Sequence, residues 1–388
     1  MNDYIAPPRA LVHRRPMDTA GEFSLLINPR HGTPGMVVLP AGGFQRAKAA
    51  ITAWDGYAPT PLHDLPAVAA EAGVAAVRIK NEGERFGLGS FKALGGAYAV
   101  ARLTRAETAR TGNAPGSITV CCATDGNHGR AVAWGAARSG CRCVIFVHET
   151  VSHGRVAAIA QFGAKVIRVP GNYDDSVREA ARQAQLNGWL VVSDTSYPGY
   201  TEIPRDVMQG YRLMADEAAD QWSGPPPTHV FIQAGVGGAA AAVSIHLRNR
   251  FAPAPRLIVV EPDRAACLLA SARSGSPTTV GGELDTIMAG LACGEPSLIA
   301  WQELERAAYA FMTTPDAAAI EALRLLAAEN IWIGESGVAG LAALRLAART
   351  PAARSALCLT AASRILLFGT EGVTDSELYD IFLRSPPC

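Results

Sequence analysis

The chain reads as an α/β protein built on parallel sheets with helices on both faces. Three observations predict this. Strand-like apolar runs alternate with alanine-rich helical stretches along most of the 388 residues. The strand runs are continuously apolar, as in "CVIFV" (143–147) and "VFIQ" (230–233), which suits strands buried on both faces. Polar clusters fall where those runs end, and parallel sheets bind their ligands beyond the carboxyl ends of the strands.

Taken in order, "VAAVRIKNE" predicts a strand and "FKALGGAYAVARLTRAET" a helix. "SITVCCATDG" is a strand closing in a polar turn, followed by the helix "NHGRAVAWGAARSG". The pairs "CRCVIFVHE" with "SHGRVAAIAQFG", and "AKVIRVPG" with "YDDSVREAARQAQLNG", continue the alternation into the strand "WLVVSDT". Later strands are "THVFIQAG", "RLIVVEPD" and "ILLFGTEG". The clusters "ATDGNHG", "SDTSYPGY", "QAGVGGA", "VEPD" and "GTEGVTD" sit at strand ends, and their convergence argues for an enzyme.

Composition narrows the class. Formal charge is zero and the pI about 7.1, so no basic surplus points to nucleic acid or an anionic membrane. No apolar run reaches the ~20 residues of a spanning helix, and "MNDYIAPPRALVHRRP" carries no signal-like apolar core, which predicts a cytoplasmic protein. Eight cysteines include no C-x-x-C pair; they read as thiols of a reducing compartment, and no metal site is expected.

One lysine stands out. Lys92 lies inside "RFGLGSFKALGGAYAV", otherwise apolar, small or glycine apart from Arg85. A helix-surface lysine that snorkels is the plain reading. A desolvated lysine has a lowered pKa and can form a Schiff base with an aldehyde, which calls for a phosphate cradle and a ring-nitrogen partner. Gly235, Val236, Gly237 and Gly238 follow a strand and precede a helix, so backbone N–H groups and the helix dipole can hold an anion there. The segment is neither a Walker loop nor a G-x-G-x-x-G. Thr370, after the last apolar strand, offers a hydroxyl to a pyridine nitrogen without forcing it to protonate; a turn threonine is the plainer reading.

"SFKALGGA", "TDGNHGRAVAWGA", "QAGVGG" and the final "GTEG" resemble the fold-type-II pyridoxal-phosphate enzymes. "RFGLGSFKALGGAYA", "NYDDSVREA", "DTSYPGYTEIPRDVMQGY", "TIMAGLACGEPS", "GESGVAGL" and "TEGVTD" resemble the 2,3-diaminopropionate ammonia-lyase family in its order, over roughly residues 55 to 376. The resemblance implies two open, mostly parallel twisted sheets. It implies a large cofactor-binding domain of residues 1–95 and 206–388, with a small mobile domain of 96–205. It implies pyridoxal phosphate held by Lys92 as a Schiff base, Phe91 against the ring, Asn127 near the phenolic oxygen, Gly235 to Gly238 around the phosphate and Thr370 at the pyridine nitrogen. The implied reaction is α,β-elimination of diaminopropionate to pyruvate and two ammonia, from D and L isomers, by a homodimer.

In that reading Lys92 serves one face of the substrate and Asp125, in "ATDGNHG", the other. A helix-capping aspartate is the structural alternative for Asp125. Asp194, in "SDTSYPGY", matches a family aspartate that would bind the β-ammonium; otherwise it is a strand-end turn residue. His128 helps hold the substrate or Asp125, or is a satisfied histidine at a helix start. Asn81, Gly369 and Val373 depart from the family pattern, and the segment after the Lys92 helix is short. A serine/threonine-type dehydratase, a β-replacing synthase and a non-catalytic cofactor carrier remain the alternatives.

Overall fold

The structure is a computed structural model that describes residues 23–32, 38–124 and 126–384. The chain forms β1 (Leu25–Ile27), α1 (Ala41–Thr52), β2 (Leu62–Asp64), α2 (Pro66–Ala72), β3 (Ala76–Asn81) and α3 (Lys92–Thr111). Then come β4 (Thr119–Ala123), α4 (Asn127–Ser139), β5 (Arg142–His148), α5 (His153–Ala160), β6 (Lys165–Val169), α6 (Tyr173–Asn187) and β7 (Leu190–Val191). After α7 (Glu202–Gln221) the chain runs through β8 (His229–Gln233), α8 (Gly238–Arg250), β9 (Arg256–Pro262), α9 (Cys267–Ser274), α10 (Leu298–Ala307) and β10 (Ala310–Thr314). It closes with α11 (Asp316–Ala328), α12 (Ala339–Arg349), α13 (Pro351–Ala356), β11 (Arg364–Gly369) and α14 (Ser376–Arg384).

These strands build two sheets. The larger has the order β1-β10-β9-β8-β11-β3-β2 and the smaller β6-β5-β4-β7. All pairings are parallel except those of the two edge strands, β1 on β10 and β2 on β3. The continuous apolar runs are explained by burial on both faces. On β8, Val230 and Ile232 join one core while Phe231 joins the other. On β5, Ile145 and Val147 face the first core, and Val144 and Phe146 pack with α6 residues Ala180 and Ala184. No helix among the described residues is long and apolar enough to cross a membrane.

The helix bearing Lys92 at its start is pinned from two sides. A Cβ on Gly135 of α4 would fall 2.9 Å from that of Ala97, and one on Gly210 of α7 would collide with the Leu94 carbonyl. Helix backbones approach this closely only where a side chain is absent. The loop before α3 is tied down by buried charge. Arg85 donates to Glu82 (2.8 Å) and Glu217 (2.7 Å), and Lys80 Nζ lies 2.7 Å from Glu217. Thr60 Oγ1 donates to Glu82 at 2.6 Å. Two cations and two carboxylates cancel, which is what makes a charged cluster tolerable at such depth.

Gly210→Ala should therefore lower stability by about 1–3 kcal/mol, the usual range for overpacking. Gly154→Ala, inside α5 with open space around it, should instead be neutral or stabilise by up to about 1 kcal/mol. Urea unfolding of both variants checks the contrast.

Candidate active site

Lys92 is the first residue of α3, presented by a loop bound to the end of β11. The Phe91 N–H donates to the Thr370 carbonyl (3.0 Å), the Gly372 N–H donates to the Gly89 carbonyl (2.9 Å), and Ser90 bridges Glu371. The Lys92 amine donates to Asp194 Oδ2 at 2.5 Å. It lies 5.3 Å from the Phe91 ring centroid and 5.8 Å from that of Tyr211. The two charged side chains are only 21% and 18% exposed. Burial opposes the Lys92 charge, but the Asp194 carboxylate and its hydrogen bond outweigh it, so the amine's pKa is raised. This corrects the expectation of a lowered value: sequence reasoning weighed desolvation and had no means of placing a carboxylate against the amine. Burial likewise works against the Asp194 charge, yet the Lys92 ammonium and its hydrogen bond hold the carboxyl well below the usual range.

Asp194 follows β7, so the pair joins the start of α3, tied to the end of β11 in the large sheet, to the loop that leaves the small sheet. His128, in the first turn of α4, stands beside it with Nδ1 3.8 Å from Asp194 Oδ2. Its Nε2 contacts the Val192 carbonyl at 2.9 Å. Burial lowers its pKa, so the ring is neutral at pH 7. Asp125 lies outside the described residues.

The glycine segment opens α8. Gly237 is its N-cap at φ 95°, and no side chain caps the helix. A Cβ on Gly235 would meet Cys293 Sγ at 2.8 Å. One on Gly238 would come within 3.8 Å of the Asp194 carbonyl, so this helix end borders the lysine–aspartate pair. Uncapped first-turn N–H groups make an anion site. Ser297 N–H donates to the Val236 carbonyl (2.9 Å), and the Ser196 and Ser297 hydroxyls share a 2.7 Å hydrogen bond, which fixes the segment to the loop after Asp194.

Thr370 is buried and accepts a hydrogen bond from Gln233 Nε2 at 2.8 Å, which leaves its own proton to donate. Asn127 Nδ2 donates to Glu371 at 2.6 Å, and Glu371 also accepts from the Ser336 N–H at 3.0 Å. Gly369 stands where the family pattern has serine. A Cβ there would fall 2.4 Å from Ile333 Cδ1, so a side chain at this position would require Ile333 to move. Gln233, Tyr211 and Glu371 were not singled out from the sequence. The signal was available for Gln233, a polar residue ending an apolar strand, because a buried amide must find partners.

The set fits pyridoxal phosphate. A near-buried amine could hold its aldehyde carbon, an uncapped helix end its phosphate, the Thr370 proton its ring nitrogen, and Phe91 or Tyr211 an apolar flank. Among the described residues no grouping of His, Cys, Asp and Glu could hold a metal ion, and the cysteines, Cys267 and Cys293 included, are thiols.

The ion pair has a measurable consequence in the cofactor-free protein. Asp194→Asn strands a largely buried ammonium and should cost about 2 kcal/mol of stability. The folded carboxyl pKa is depressed, so its contribution is present above the unfolded value of about 3.9 and lost as pH falls through the folded one. The Lys92 pKa is raised, so the pair weakens again only above pH ~10. Chemical unfolding of both proteins between pH 3 and 9 should show a difference that is flat from pH ~5 upward and shrinks toward pH 3.

Comparison with known proteins gives this geometry its place. The family profile "Pyridoxal-phosphate dependent enzyme" matches residues 53–361. Diaminopropionate ammonia-lyase of Escherichia coli K12 is 42% identical over 345 residues, 84% of this chain and 87% of the relative. The crystal structure of holo diaminopropionate ammonia lyase from E. coli superposes with a TM-score of 0.87 at 37% identity, covering 93% of this chain and 96% of that one. A second structure of that enzyme, in complex with an aminoacrylate–PLP azomethine reaction intermediate, gives 0.86 at 36%, with 94% and 97% covered. The chain thus belongs to the pyridoxal-phosphate-dependent enzymes and, among them, to the diaminopropionate ammonia-lyases, a family of carbon–nitrogen lyases that use pyridoxal phosphate.

Proposed function

We propose that this chain converts 2,3-diaminopropionate and water to pyruvate and two ammonia, acting on both the D and the L isomer. The observation that carries the reading is the Asp194 carboxylate held against the Lys92 amine. It gives the pocket an ionised acceptor suited to an amino acid with a second ammonium. The identity to E. coli diaminopropionate ammonia-lyase supports the same substrate.

Pyridoxal phosphate, when bound, supplies the electron sink for loss of the α-proton. The chain's own residues do the rest. Lys92 anchors the cofactor and, once freed, takes the α-proton on one face. Asp125 takes it on the opposite face, which accounts for acceptance of both enantiomers. Asp194 binds the β-ammonium and His128 lines the same end of the substrate. Phe91 flanks the ring, Asn127 faces the phenolic oxygen, Gly235, Val236, Gly237 and Gly238 hold the phosphate, and Thr370 donates to the ring nitrogen. Residues 96–205 move as a small domain over a large domain of 1–95 and 206–388, closing the site to water. The enzyme works as a homodimer, the commonest closed assembly, in the cytoplasm.

Pyruvate and ammonia release from L- and D-diaminopropionate, with L-serine and L-threonine in parallel, tests the reading. Two ammonia per pyruvate from both isomers is the expected result; activity confined to the hydroxy amino acids would overturn it. Lys92→Ala should lose the cofactor's visible absorbance and reduce turnover by ~10²–10⁴-fold or more. Asp125→Asn should depress D-isomer turnover by about 10²-fold or more while sparing the L isomer.

A further inference from the structure

His128 carries a feature that neither packing nor helix capping explains. The residue is 8% exposed, yet among the described residues Nδ1 has no hydrogen-bond partner. Its other nitrogen settles the tautomer. Nε2 lies 2.9 Å from the Val192 carbonyl, which can only accept, so Nε2 bears the proton. Nδ1 of the neutral ring is then a bare acceptor. It points at a second acceptor, Asp194 Oδ2, 3.8 Å away. Two acceptors facing each other in a half-dry pocket repel unless a cation serves both. The Lys92 ammonium, 2.5 Å from the same carboxylate oxygen, now balances the carboxylate but makes no hydrogen bond to Nδ1. When Lys92 is committed to the cofactor, its positive donor is withdrawn from this corner and another must take its place.

Resting on the proposed function, we infer that His128 Nδ1 and Asp194 Oδ2 form a paired acceptor for the β-ammonium of the substrate, and that this pair selects an amine over a hydroxyl as the leaving group. An ammonium has three N–H donors and can satisfy both acceptors at once. A hydroxyl has one and leaves the other acceptor buried and unpaired, which is how polar sites reject analogues. The chemistry points the same way. The carbon–nitrogen bond of a β-ammonium breaks with its electron pair going to nitrogen, which departs as neutral ammonia with its three protons. No acid is needed at that end. A hydroxyl must be protonated to leave, and the corner holds an ionised carboxylate and an unprotonated nitrogen, neither of which can give a proton.

The test separates this role from a structural one. His128→Gln keeps an N–H donor for the Val192 carbonyl and places no atom where Nδ1 stands. His128→Asn places its carbonyl oxygen near the Nδ1 position. The readout is kcat/KM for diaminopropionate divided by kcat/KM for β-chloroalanine, whose leaving group donates no hydrogen bond. We expect His128→Gln to lower that ratio about ten- to a hundredfold, chiefly through KM for diaminopropionate, and His128→Asn to recover part of it. An unchanged ratio overturns the inference, as does loss of both activities in step. Nitrogen-15 spectra of histidine-labelled wild type at pH 7, assigned against His128→Gln, give an answer independent of turnover. They should show Nε2 protonated and Nδ1 bare, whereas an Nδ1–H signal overturns the inference. Wild-type inactivity on diaminopropionate would sink the parent reading and this one with it, whereas turnover with an unmoved ratio sinks only this one.

Discussion

The ammonium–carboxylate pair of Lys92 and Asp194 is the constraint around which the site is organised. A primary amine with little solvent must be compensated, and the compensating carboxylate comes from beyond β7 of the small sheet while the amine starts α3 beside the large one. The pair therefore does two things at once. It keeps a desolvated lysine charged and ordered, and it draws the carboxyl ends of two sheets toward each other. The raised amine pKa means that Lys92 must pass its proton on before it can act as a nucleophile. A basic group held beside its own counterion is stored in an unreactive form.

Holding that amine within hydrogen-bond reach of one oxygen requires rigidity behind it. The Lys80–Glu217–Arg85–Glu82 cluster supplies it on one side, linking β3, the loop before Lys92 and α7 through charges that water does not screen. Glycine supplies it on the other side, since the close crossings at Gly135 and Gly210 let α4 and α7 clamp α3 backbone to backbone. A buried ion cluster adds little net stability by itself. Its contribution here is geometric, because any slip of the loop would unpair a charge with no water to receive it.

Much of the fold was legible because the inner strands of both sheets are parallel and covered, so they announce themselves as unbroken apolar runs. The strands that escaped notice lack that signal. β1 and β2 are three-residue antiparallel edges, too short to carry a period, and β10 ends in Thr313 and Thr314, whose burial the composition does not advertise. At the site, Lys92 was conspicuous as a lone amine among small residues, and the glycine segment as a strand-to-helix turn. The direction of the Lys92 pKa was not legible, because it depends on a residue 102 positions away in the chain. Tyr211 and Glu371 escaped for the same reason. Each is ordinary in its own segment and acquires meaning only from what folding sets beside it, the Lys92 amine in one case and the Asn127 amide in the other.

The hydroxyl proposed to meet the ring nitrogen, that of Thr370, is set by a chain of donors rather than standing alone. Gln233 Nε2 lies 2.7 Å from the Phe368 carbonyl, 2.8 Å from Thr370 Oγ1 and 3.1 Å from the Gly337 carbonyl, so its hydrogens are spent on fixed acceptors. The threonine oxygen is thereby used as an acceptor, which leaves its own proton to donate. A carboxylate in that place would favour a protonated pyridine; a hydroxyl imposes no such charge. Ile333 packs where a side chain on Gly369 would stand, so Thr370 is the hydroxyl that the end of β11 presents. An environment that leaves the ring nitrogen neutral lends the substrate carbon less electron withdrawal. On the proposed function, more of the work then falls on where bases and leaving-group acceptors stand, the part assigned there to Lys92, Asp194 and His128.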